Sequence, residues 1–337
     1  MALPAGPYFR QLDQGALKER MAETVRDGSA AMSATGGGAA LPGVGGVMRA
    51  WIHLLRPRQW IKNFFILAPL LFSGLALDPS SQLRALATFG VFCLLASGVY
   101  AFNDVVDRDS DRAHPVKRHR PVAAGLITSR AALIGATMLL IGSVSLAFLI
   151  SPGVGTIALT YLAINVLYGL LLKRIVIVDV FAIASFFVLR LLAGAAAVLV
   201  QPSVWLLLCG GLLALYLGFA KRRHELVLLG DGSADHRAVL SQYTTGFLDQ
   251  LSVVLLAVTI VSYILYTVES PTSQAVGSHA LSYSTVFVLY GVLRYLYLVN
   301  RHEGGNPAET LLTDRSLLVA VLMWVIYCGV VIYRPFV

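Results

Sequence analysis

From residue 62 onward the chain alternates long apolar runs with short polar interruptions, at 62–77, 83–103, 131–150, 154–172, 178–200, 203–220, 249–268, 282–300 and 316–333. Each run is close to the ~20 residues a helix needs to cross the hydrocarbon core of a bilayer. The pattern predicts an all-α integral membrane protein of nine spans, with the fourth to sixth joined closely enough to read as long hairpins. Ahead of the spans, residues 1–48 are rich in Gly and Ala, above all from Gly28 to Gly46. That composition predicts a disordered tail, with room for one short amphipathic helix near Leu12 to Val25, and leaves 49–337 as the membrane domain.

Composition supports the membrane reading: 57% of the 337 residues are hydrophobic, 13% are charged and the mean hydropathy is +0.74. These values exclude an ordinary soluble domain. Lys and Arg are unevenly divided between the two sets of connections. One set holds Arg56, Arg58 and Lys62, the stretch 108–130, Lys173 and Arg174, Lys221 to Arg223 with Arg237, and Arg301 with Arg315; the other holds little beyond Arg84 and Arg334. The asymmetry predicts a cytoplasmic amino terminus, cytoplasmic motif-bearing loops and an outside carboxyl terminus. The net charge of +8 then reflects orientation and attraction to anionic lipid, and nucleic acid is not an expected partner. Because the apolar segments begin only after about fifty residues, no secretory signal is read. Cys93, Cys209 and Cys328 lie in separate apolar runs without paired spacing and read as inert buried thiols.

The densest chemistry lies at the inner end of the second run, in Asn103 to Asp111, reading NDVVDRDSD. At about 100° per residue, Asp104, Asp107 and Asp111 fall within about 60° of one another on a continuing helix, while Asp109 points elsewhere. Like charges on one face repel, so the arrangement suits a neutralising cation, and oxygen-only ligands, with Asn103 as a further donor, favour Mg²⁺. The alternative is a solvated loop whose acids pair with Arg108 and Arg112. Within about ten residues comes the basic run His114 to Pro121, with Lys117, Arg118 and Arg120. Acid for a metal beside base for phosphate predicts a metal-bound phosphate or diphosphate substrate.

On Asn103, Asp104, Asp107 and Asp111 the chain resembles the UbiA-type intramembrane prenyltransferases, whose first signature is NDxxDxxxD. The resemblance covers most of 50–337 and implies a nine-helix bundle with a cytoplasm-facing active-site cavity. Typical members have a second aspartate motif in the next large inner loop. Here Ala220 to Glu225 reads AKRRHE instead. Lys221 and Arg222 can pair with Glu225 along one helix, but three consecutive cations exceed one glutamate. Asp231 and Asp235 have the missing spacing within a turn-like GDGSAD stretch.

Cations in place of carboxylates suit a donor with a phosphate besides its diphosphate, and phosphoribosyl pyrophosphate is one such donor. With the opening LRPRQWIKN at 55–63 and the late NPAETLLTD at 306–314, the chain resembles the decaprenyl-phosphate phosphoribosyltransferase subgroup. That resemblance implies transfer of 5-phosphoribose to a polyprenyl phosphate at the plasma membrane, for cell-wall arabinan synthesis. A prenyl-diphosphate-dependent aromatic prenyltransferase and a membrane transporter are the competing expectations.

Other candidates are single residues. Arg56, Arg58 and Lys62 read as snorkelling anchors or as a grip on the acceptor phosphate, Lys62 being deepest. Arg190 and Arg294, within apolar runs, should face the bundle interior. Asp179 reads as a helix cap or as part of the cavity mouth, and Tyr243 and Asp249 as weaker candidates nearby. Homo-oligomerisation is left open.

Overall fold

The computed structural model describes residues 44–229, 240–276, 279–301, 310–311 and 313–334. The expected amphipathic segment at 12–25, nearly all of the expected tail, and Asp231, Asp235 and Arg237 lie outside the described residues. Every described element is helical: α1 (Val44–Leu55), a 3₁₀ segment (Pro57–Leu67), α2 (Ala68–Phe72), α3 (Pro79–Val106), α4 (Arg108–Ala113), α5 (Ser129–Ile150), α6 (Pro152–Leu170), α7 (Val178–Ala197), α8 (Val204–Leu229), α9 (Thr245–Glu269), α10 (Pro271–Val276), α11 (Thr285–Asn300) and α12 (Arg315–Tyr333).

Among the described residues eight helices are long and apolar enough to cross a membrane: α3, α5 to α9, α11 with the turn before it, and α12. Several starts are written in local chemistry. Asp78, Thr128, Ser151, Thr244 and Asp314 each accept a hydrogen bond from a backbone N–H of the first turn that follows, satisfying a donor that helix geometry leaves orphaned. Bonds from Ser80 and Ser81 pull the Asp78 carboxyl down to about 2. The helices run past the apolar stretches at the motif-bearing end: α3 continues to Val106 and α8 to Leu229. Asp104 and the Lys221–Glu225 charges are therefore carried on helical backbone near these ends.

α3 and α7 are the most enclosed, with 61% and 56% of their most apolar stretch buried against 17% for α5. They form the central posts. The other crossing helices turn apolar side chains outward, as α5 does with Ile134, Met138 and Ile141, which is the expected surface toward lipid.

The expected span at 62–77 is built differently. The chain leaves α1 through Arg56, in the left-handed region at φ 51°, and continues as 3₁₀ helix and then α2. Ser97 of α3 donates to the orphaned Leu55 carbonyl at 2.7 Å and accepts from Trp60 Nε1 at 3.1 Å. At the other end the Ala76 N–H donates to the Tyr333 hydroxyl at 2.8 Å. These bonds fasten the start of 56–76 to α3 and its end to α12. Between them the segment packs on α3 and α7, so tightly that a Cβ added at Gly194 of α7 would overlap the Ile66 carbonyl oxygen and stand 2.8 Å from its carbon.

Candidate active site

At the end of α3, Asp104 lies on the helix, Asp107 closes it and Asp111 sits on α4, joined by the Asp111 N–H to Asp107 carbonyl bond at 2.8 Å. Asp104 and Asp111 are each 2% exposed, Asp107 is half-buried, and Asn103 and Asp109 are exposed. The inward face is the one expected from the helical register. Arg120 Nη1 donates to Asp104 Oδ1 at 3.1 Å and to Asp111 Oδ2 at 2.6 Å, while Arg56 Nη2 reaches Asp104 Oδ1 at 2.5 Å and its guanidinium lies 5.0 Å from the Tyr100 ring. The left-handed turn at Arg56 thus has a purpose: it swings a guanidinium back onto the motif.

Among the described residues no three His, Cys, Asp or Glu side chains stand close enough to share an ion, because a guanidinium separates Asp104 from Asp111. The donor chemistry nevertheless fits a hard divalent cation. Two buried carboxylates aim oxygens at one positive atom, and a third stands one turn away. Lys117 and Arg118 are exposed on a short 3₁₀ turn, shaped by the Val116 and Lys117 N–H groups donating to His114 Nδ1.

A second cluster gathers where the start of α7 meets the charged stretch late in α8. Asp179 is fully buried and caps nothing, since Ile177 holds the cap position. Arg222, 1% exposed, donates to Asp179 at 2.9 Å and to Glu225 at 2.6 Å; Lys221 lies 3.8 Å from Glu225, and Arg223 pairs with Asp249. The cation surplus implied by the sequence is therefore met by Asp179 and Asp249 from other helices. Tyr243 donates to Asp179 at 3.0 Å and accepts from the Ile177 N–H at 2.6 Å, and burial pushes its phenol up to about 12. Ile177 sits at φ 69°, ψ −49°, with the Val178 N–H on the Val176 carbonyl at 2.7 Å. That is a classic γ-turn, a strained conformation for a β-branched residue.

Removing the Asp179 carboxylate should destabilise the protein by about 3–5 kcal/mol, the scale for orphaning one member of a buried ion pair. The thermal midpoint of Asp179→Ala in detergent should fall well below that of the parent, and Asp179→Ala with Arg222→Met should recover part of the loss. Equal midpoints for Asp179→Ala and the parent would show that the pair contributes nothing.

Deeper in the bundle Arg190 is 3% exposed and donates to Asn63 Oδ1 at 2.6 Å, the Phe186 carbonyl at 2.8 Å and the Tyr161 hydroxyl at 3.1 Å. All three acceptors are neutral. Lys62, half-buried one residue before Asn63, likewise has no carboxylate partner among the described residues. Arg294 corrects the expectation of an interior position: it is 30% exposed, donates to Asp314 at 2.8 Å and lies 5.3 Å from the Tyr297 ring. It lies within two turns of the end of α11, close enough to reach the loop acid. Asn63, Tyr161 and Ser97 were not singled out from the sequence; only the polarity of Asn63 in an apolar run marked it.

The sequence profile described as the UbiA prenyltransferase family matches residues 64–320. The decaprenyl-phosphate phosphoribosyltransferase of Corynebacterium glutamicum is 32% identical over 286 residues, covering 84% of this chain and 86% of that protein. Its namesake from Mycolicibacterium smegmatis is 31% identical over 292 residues, covering 84% and 92%. A solved UbiA homolog from Archaeoglobus fulgidus bound to GPP and Mg²⁺ superposes with a TM-score of 0.62 at 18% identity, over 84% of this chain and 99% of that one.

Proposed function

The chain belongs to the UbiA prenyltransferase family, and from that premise we propose that it transfers 5-phosphoribose from phosphoribosyl pyrophosphate to a polyprenyl phosphate, decaprenyl phosphate in the first instance. It is a multi-pass membrane transferase. The names of its relatives support the choice of donor and acceptor, and cell-wall arabinan synthesis is the use this reading implies for the product. The observation that carries a polyanionic substrate is the pair of cations, half-buried Lys62 and buried Arg190, which have no carboxylate partner among the described residues.

In this reading Asp104, Asp107 and Asp111 hold Mg²⁺, with Asn103 at the rim. Bound there, the ion neutralises charge on the departing diphosphate as a Lewis acid. The chain's own groups do the rest. A phosphate oxygen of the acceptor bonds to the anomeric carbon as the bond to pyrophosphate breaks, giving a β-linked product by inversion. The attacking phosphate is already anionic, so position and charge replace a general base. Arg56 and Arg120, already at the carboxylates, with Lys117 and Arg118 on the turn outside, would meet diphosphate oxygens. Lys221 would meet the 5-phosphate, and Lys62 the acceptor phosphate. Arg222, Glu225, Asp179 and Tyr243 would hold the second loop in place, and Arg190 would fix Asn63 and add positive potential from below.

Nine crossings are part of the same proposal. The 3₁₀ segment at ~2.0 Å per residue and α2 at ~1.5 Å together reach about 30 Å, the thickness of the hydrocarbon core. An odd number of crossings would put the termini on opposite sides, and the Lys- and Arg-rich connections would then set the amino terminus and the acidic motif in the cytoplasm and the carboxyl terminus outside, with the plasma membrane as the site and residues 1–48 as a tail ahead of the catalytic domain.

Purified protein given Mg²⁺, polyprenyl phosphate and ribose-labelled phosphoribosyl pyrophosphate should deliver label to lipid. Label arriving instead from a prenyl diphosphate onto an aromatic acceptor would replace this reading with the aromatic prenyltransferase. Activity in detergent, where no gradient exists, separates either enzyme from a transporter.

A further inference from the structure

Helix α1 has three distinct faces from Val47 onward. At about 100° per residue, Ala50, Leu54 and Trp51 point one way, Met48, Ile52 and Leu55 a second, and Arg49 and His53 a third. The first face is the packed one: Ala50 and Leu54 are buried against Ala132 and Ala136 of α5, with Ala101, Val122 and Ile127 around them, and the Trp51 ring lies on Gly135, where an added Cβ would meet it at 2.9 Å. The second is apolar and open, with Met48 62% and Ile52 53% exposed. The third is polar and exposed.

Two further observations say what covers the open apolar face. The contacts fall in the first two turns of α5, at the end of the bundle that bears the acidic motif, and the same helix continues the exposed apolar surface with Ile134, Met138 and Ile141. Exposed apolar side chains therefore occur both on α1 and on the helix it packs against. The polar face of α1 also has a basic residue where the flanking connections are rich in Lys and Arg, the composition that meets anionic headgroups.

We propose that α1 is an in-plane membrane anchor, with Met48, Ile52 and Leu55 in the acyl boundary and Arg49 and His53 among anionic phospholipid headgroups, so that the lipid surface sets the position of Arg56. The coupling is one residue long. Arg56 follows Leu55 directly, its left-handed turn fixes the angle to the next segment, and its guanidinium is on Asp104. A helix that floats with the headgroup plane thus holds one grip on the acidic motif at a fixed depth. The inference does not depend on which donor the site uses.

Nitroxide labels placed singly at 48, 49, 52 and 53 of the full chain, with Cys209 replaced by alanine, test it in nanodiscs. All four positions face outward, so labelling leaves the packed face intact. Accessibility to oxygen relative to a water-soluble nickel chelate should be several-fold higher at 48 and 52 than at 49 and 53. Labels at 48 and 52, which leave Arg49 and His53 in place, should be less mobile when phosphatidylglycerol is added to phosphatidylcholine. Four equal, aqueous readings would overturn the in-plane placement, and identical mobility in the two lipids would overturn headgroup recognition. No substrate is present, so failure here is distinguishable from failure of the proposed reaction.

Discussion

Asp104→Asn should lower Mg²⁺-dependent transfer by about 10²- to 10³-fold, the scale of removing one preorganised electrostatic contact from a transition state. The substitution keeps the shape of the side chain and removes the charge on which Arg56 and Arg120 converge. Two effects follow from one change. The acidic face loses a ligand for the ion, so half-maximal activity should need more Mg²⁺, and two partly enclosed guanidinium groups lose a shared counter-charge. Asp111→Asn should behave alike, since Asp111 is equally buried and also held by Arg120. Asp109→Asn should leave the rate near that of the parent, because Asp109 is exposed and off the inward face. Initial rates across a Mg²⁺ titration check all three. Parental rate and Mg²⁺ dependence in Asp104→Asn would remove the acidic face from the chemistry.

Gly194→Val should leave little folded protein, at a cost of about 3 kcal/mol or more, the upper range for forcing atoms into a packed interior. The obstacle is backbone, because the added carbon would meet the Ile66 carbonyl group and not a side chain that can rotate away. Pushing that carbonyl aside also moves Lys62 and Asn63, so any folded fraction should be nearly inactive. Gly142→Ala is the matched control: nothing lies within 4 Å of the added carbon, and alanine favours a helix by up to ~1 kcal/mol over glycine. Size-exclusion profiles, thermal midpoints and rates for the two variants compare a close backbone crossing with an open helix face. A Gly194→Val protein as stable and active as the Gly142→Ala one would mean the crossing has room to spare.

The crossing helices are legible in the sequence because a bilayer demands unbroken apolar length, and length survives without knowledge of neighbours. The inward set of Asp104 and Asp111 is legible for a similar reason: helical register is local. What the sequence hides is partnership at a distance. Arg222 could be seen to reach Glu225 three residues on, but Asp179 is 43 positions away and Asn63 is 127 positions from Arg190. The 3₁₀ path of Pro57–Leu67 was hidden too, since an apolar run of that length suits an α-helix equally well. Arg294 misled because depth was judged from hydrophobicity, whereas its reach to Asp314 is a matter of side-chain length. Two helix starts are legible as well: Asp78 followed by Pro79, and Ser151 followed by Pro152, are cap signatures.

The reversed turn at Ile177 has a mechanical consequence. Strain held at the base of a central post is released when its clasp lets go, and the clasp is a single phenol, Tyr243, whose own anchor is Asp179. The first winding of α7 is accordingly held from two other segments, by that phenol and by Arg222 on Asp179. Unseating that phenol would therefore loosen the reversed turn and the Asp179 carboxylate at the same time, two features joined through one oxygen atom.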